Sequence, residues 1–75
     1  MHSQNHPTAV ADYSQTMLLR TIQKQPTPVS AFDLEQLWQP TFSRFEIDYM
    51  LEQLHANGYI KVVWNSSLKL FQAMH

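Results

Sequence analysis

The apolar positions of this chain fall into three helical stripes followed by two short alternating runs. Ile47, Met50, Leu51 and Leu54 stand at i, i+3, i+4 and i+7. This is the clearest 3.6-residue periodicity in the sequence and predicts a helix over 44–56. Ala31, Leu34, Leu37 and Trp38 carry the same pattern and predict a shorter helix over 31–38. Ala11, Leu18, Leu19 and Ile22 line one side of a first helix. Its expected start is near Asp12, which has capping spacing to Gln15. Beyond residue 58 the period changes. Residues 59–64 and 68–72 are rich in β-branched and aromatic side chains, and the polar triplet Asn65-Ser66-Ser67 divides them, which predicts two strands of a hairpin.

Polar punctuation agrees with these boundaries. Ser30 precedes Asp33 by three residues, and Ser43 precedes Glu46 by three. Each pair has the spacing of a capping box, in which the hydroxyl takes an orphan N–H of the first turn and the acid answers from the third position. Val29 with Leu34 and Phe42 with Ile47 have the spacing of hydrophobic staples. Pro26 and Pro28 end the first helix and Pro40 the second, because proline lacks the N–H and restricts the residue before it. Gly58, the only glycine, follows Asn57 where the third helix should stop in a left-handed cap. Thr27–Val29 can add a short strand to the hairpin, held to an edge by the two prolines. The expected fold class is α+β: one domain over 9–73, three helices then a C-terminal two-stranded hairpin. Residues 1–8 are expected to form a flexible tail.

The hairpin register follows from keeping the lysines together. A three-residue loop at Asn65-Ser66-Ser67 sets Trp64 opposite Leu68 and Val62 opposite Leu70. Ile60, Val62, Trp64, Leu68 and Leu70 then face the helices, while Lys61, Val63, Lys69 and Phe71 face out. A slip of one residue would invert one strand.

Composition narrows function more than fold. The 75 residues carry a formal charge of −1, with 15% charged and 44% apolar side chains. That is enough apolar content for one core, and there is no basic excess to hold nucleic acid by bulk electrostatics. The absence of cysteine removes disulfides and thiolate metal sites and fits a cytoplasmic protein. No apolar run is long enough to span a membrane. The opening residues lack the basic start and apolar centre of a signal peptide. His2, His6, His55 and His75 have no metal-ligand spacing. No nucleophile–base pair, glycine-rich phosphate loop or paired carboxylate stands out, so a non-enzyme without cofactor, metal or small-molecule substrate is expected.

The order helix, helix, helix, hairpin resembles the winged helix-turn-helix superfamily over about 12–72. The likeness rests on the spacing of Leu34, Leu37, Ile47, Leu51 and Leu54, then Gly58-Tyr59-Ile60 entering the first hairpin strand. It implies a small DNA-binding regulator or accessory factor, with the third helix in the major groove and the hairpin, or wing, on the phosphate backbone. The groove face would then hold Ser43, Arg44, Phe45, Glu46, Asp48 and Tyr49, and the wing Lys61, Asn65 and Lys69. Arg44 would meet a guanine edge, or else pair with Asp48 one turn on. Against DNA, residues 43–58 hold one arginine and three acids, Glu46, Asp48 and Glu52. The alternative is a winged-helix protein-interaction module that uses Phe45, Tyr49 and the wing without DNA; the plainer reading of this pair is that one of the two rings folds under the wing or against the second helix as accessory core. With so few cations, DNA binding would depend on a homodimer or a partner protein. Trp38 and Trp64 are expected in or at the edge of the core. The segment FEIDYMLEQL also resembles iron-transport accessory proteins of this type, but their wing is cysteine-rich and this chain has no cysteine, so that function is not transferred.

Overall fold

A computed structural model describes the backbone of residues 6–74 and the side chains of residues 13–74. Three helices, α1 (His6–Lys24), α2 (Ala31–Trp38) and α3 (Arg44–Ala56), precede two antiparallel strands, β1 (Ile60–Asn65) and β2 (Leu68–Ala73).

Both expected capping boxes are present. Ser30 Oγ accepts from the Asp33 N–H at 3.1 Å, and Asp33 Oδ2 accepts from the Ser30 N–H at 3.2 Å. Ser43 and Glu46 repeat this at 3.1 and 2.8 Å. Satisfying two orphan donors at each start is what sets α2 and α3 at their expected boundaries. The end of α3 is a Schellman turn. Gly58, at φ 81°, donates its N–H to His55 O at 3.1 Å, and Tyr59 donates to Leu54 O at 3.0 Å.

The start of α1 departs from expectation. It begins at His6, so residues 6–8 are helical rather than tail and Asp12 is not a cap. Pro7 lies in the first turn, where its missing N–H is an orphan anyway, and Ala9 and Ala11 favour the helix. Met1–Asn5 of the expected tail, and the side chains of His2, His6 and His75, lie outside the described residues.

The core joins Leu18 and Ile22 of α1, Leu34 of α2, Ile47, Met50, Leu51 and Leu54 of α3, and Ile60 and Phe71 of the hairpin. Leu37 departs from expectation and is 58% exposed. Ala31, Leu34 and Trp38 cluster on one side of α2, and at 100° per residue Leu37 falls about a quarter-turn off their centre. Trp38 closes the α1–α2 edge. Its indole N–H donates to Thr21 Oγ1 at 3.1 Å, the Thr21 hydroxyl donates to Met17 O at 3.0 Å, and the ring leans on Phe42 with centroids 5.3 Å apart.

The hairpin overturns the expected register. Asn65 pairs with Leu68, Trp64 with Lys69, Val63 with Leu70, Val62 with Phe71 and Ile60 with Ala73. The loop is the two residues Ser66-Ser67, with Ser66 at φ 58°. β1 keeps its expected orientation at Ile60 and Val62, but β2 is inverted: Phe71 and Ala73 are buried, while Leu68 is exposed and Leu70 half-buried. Two physical terms decide this. Phe71 has more apolar surface to bury than Leu70. Its backbone also exchanges two hydrogen bonds with Val29, at 2.9 and 2.7 Å. Since both its polar groups face Val29, Val62–Phe71 must be a non-hydrogen-bonded pair, the closer side-chain geometry. Keeping the lysines together fails as a criterion because the inner face is not uniformly covered. Trp64 and Lys69 share that face, but both are exposed near the turn, where Lys69 Nζ lies 5.6 Å from the Phe71 ring centroid and keeps its charge in water. The short strand expected at Thr27–Val29 is present as the single Val29–Phe71 bridge, flanked by Pro28.

Candidate functional site

The capped start of α3 places five side chains along its outer side: Arg44, Phe45, Asp48, Tyr49 and Glu52. All five are exposed, because the i, i+3, i+4 stripe that includes Ile47, Met50 and Leu51 fills the inner side. Phe45 is 81% exposed and Tyr49 53%. They stand one turn apart and form an aromatic ridge.

A depression lies on each side of that ridge. The larger, about 760 Å³, runs between α3, the start of α2 and the hairpin, with Phe32, Tyr49, Leu68 and Phe71 among its apolar walls and Glu52, His55 and Lys69 among its polar ones. The smaller, about 210 Å³, lies toward α1 and is bordered by Ser14, Gln15, Phe42 and Met50. Phe45 and Tyr49 line both.

Arg44 is engaged within the chain. Its Nε donates to Asp48 Oδ1 at 3.2 Å, and a second guanidinium nitrogen lies 3.9 Å from Glu35 Oε1 on α2. The i, i+4 spacing made the first contact readable; the second depends on how α2 crosses α3. Ser43 and Glu46 hold the cap, so neither side chain reaches outward without opening it. The sequence placed Lys61 and Lys69 on one outer hairpin face. They lie on opposite faces, Lys69 above the larger groove and Lys61 on the far side with Val63 and Asn65. Trp64, expected at the core edge, is 62% exposed. Phe32, which lines the groove, escaped the sequence reading; its place off the α2 stripe, next to Ala31, was the available signal.

Charge is segregated along the chain. Residues 30–56 contain Asp33, Glu35, Glu46, Asp48 and Glu52 against Arg44 alone, while residues 57–75 contain Lys61 and Lys69 and no acid. Within the groove the charged lining is Arg44, Asp48 and Glu52 on the helical wall, a net of −1, and Lys69 on the hairpin wall. Among the described residues, Arg44 makes the only ion pairs, with Asp48 and Glu35. No group of three potential metal ligands occurs among these residues, and no helix there is long and apolar enough to cross a membrane. Comparison with known proteins supplies no relative: no family model, curated protein or solved structure matches the chain.

Proposed function

We propose that the chain is a winged-helix protein-interaction module of the cytoplasm, without catalytic activity, that docks a protein on the outer face of α3 beside the hairpin. The observation that carries this is the Phe45–Tyr49 ridge, held in solvent on a helix whose one arginine is paired with two carboxylates. Large aromatic side chains beside a groove are the usual anchors of protein interfaces, since they bury much area at little entropic cost. The acidic balance of the face disfavours a phosphate backbone. Affinity capture from the source cell, with and without nuclease, tests the reading. A protein retained by the wild type, lost with Phe45→Ala and insensitive to nuclease supports it. Capture that disappears on nuclease treatment contradicts it.

DNA binding is the second reading, favoured by the layout: a capped helix-turn-helix, a C-terminal hairpin, and Val29 bridging to β2 on the side away from β1. Ser43, Arg44, Glu46 and Tyr49 would approach the groove, and Lys61, Asn65 and Lys69 the backbone. Such binding needs Arg44 released from Asp48 and Glu35. It also involves few cations, so log K should fall against log salt with a slope of only roughly −2 to −4. Arg44→Ala should relax base preference, and Lys69→Ala should weaken all sequences alike.

A further inference from the structure

We infer that the partner of this face is a second copy of the same chain, docked about a two-fold axis that runs along the larger groove. The inference rests on the protein-docking reading of α3 and names its occupant.

An isologous contact needs a patch complementary to itself. A two-fold axis lying along a groove sets each wall against the opposite wall of the other copy. Here the walls differ in charge. The α3 wall carries Arg44, Asp48 and Glu52, of which Arg44 and Asp48 pair with each other, so Glu52 sets its net charge; the hairpin wall carries Lys69. Rotation about the groove brings Glu52 of each copy toward Lys69 of the other, two equivalent contacts from one pair of residue types. Neither side chain has an ion-pair partner among the described residues of its own chain.

The apolar surface obeys the same operator. Phe45 and Tyr49 rise on the α3 wall, and Leu68 is exposed on the hairpin wall. Opposing the walls covers all three, with the aromatic ridge of one copy against the hairpin of the other. A standard interface buries about 800 Å² per partner, roughly 15% of the 5187 Å² surface of this chain, so a single face can supply it. Packing α3 antiparallel on α3 about an axis near Asp48 would instead set Arg44 of each copy against Glu52 of the other and leave Lys69 outside the contact, so Lys69→Glu would not disturb it.

Charge reversal in mixtures tests the operator. Lys69→Glu alone sets two carboxylates against each other at both contacts, and Glu52→Lys alone sets two ammonium groups against each other at both. Each variant should lose self-association by roughly tenfold or more, because each substitution counts twice. An equimolar mixture relieves both repulsions. At one contact the two substituted side chains meet as an opposite-charge pair with its signs exchanged, and at the other the native Lys69 and Glu52 remain. Sedimentation velocity should therefore show a concentration-dependent dimer for the wild type, monomer for each variant, and dimer for the mixture, with wild-type circular dichroism throughout. Both sites are exposed, so folding is not at stake. A wild type that stays monomeric to near-millimolar concentration overturns the inference. So does a mixture that stays monomeric, or single variants that dimerise like the wild type. If the wild type is monomeric but nuclease-resistant, Phe45-dependent capture persists, the self-docking falls and the docking face stands. If that capture is absent too, both fall.

Discussion

The two sides of α3 use the same kind of material to opposite ends. On the inner side Ile47, Met50, Leu51 and Leu54 are buried against α1, α2 and the hairpin. On the outer side Phe45 and Tyr49 carry comparable apolar area and remain in water. Burying a large apolar side chain stabilises by about 1.5–3 kcal/mol, and in so small a domain each one matters. The two outer rings contribute little of this to the isolated chain. Their area is available to whatever covers them, and the difference between the sides is the difference between a folding surface and a binding surface.

Substitutions can break this contrast, and the largest effects belong to the inner surface. Phe71→Ala should destabilise by about 3–5 kcal/mol, whereas Leu70→Ala, outward in the observed register, should lose under about 1.5 kcal/mol. Urea midpoints in the reverse order would restore the three-residue loop. Leu51→Ala should follow at about 2–5 kcal/mol, read by the same titration. A loss below about 1 kcal/mol would mean that the site is not closely packed.

Smaller effects test the two left-handed positions against each other. No atom lies within 4 Å of a Cβ built at Gly58, so Gly58→Ala meets only the backbone penalty of φ 81° and should cost about 1 kcal/mol. Ser66 already bears that penalty at φ 58°. Ser66→Gly removes it but adds unfolded-state freedom, for a net stabilisation of roughly 0.5 kcal/mol. Thermal midpoints moving down for the first and up for the second are the expected pair. A drop for Ser66→Gly would mean that the turn is not strained there.

The ease of reading each element from sequence followed how local its causes are. The α2 and α3 boundaries were legible because cap, staple and stripe all lie within a few residues. The hairpin register was not, because it depends on Val29, some forty residues before Phe71, and on how far the helices extend along the sheet. Leu37 was misread for want of length: in eight residues the stripe has little room to show its centre. The candidate face was half legible. Phe45 and Tyr49 were visible as a pair off the stripe, but only the placement of the hairpin decides whether they tuck beneath it. The Arg44–Asp48 pair could be read from spacing, while Glu35 enters only through the crossing of α2.

Phe45 stands in this scheme as a binding residue and not a folding one. Phe45→Ala is to be followed through urea unfolding at a concentration low enough for the wild type to be monomeric, and through sedimentation at concentrations where the wild type associates. The expected result is an unfolding free energy within about 0.5 kcal/mol of wild type together with loss of self-association. A destabilisation of about 2 kcal/mol or more, the scale of a lost core side chain, or an unchanged assembly, would contradict it.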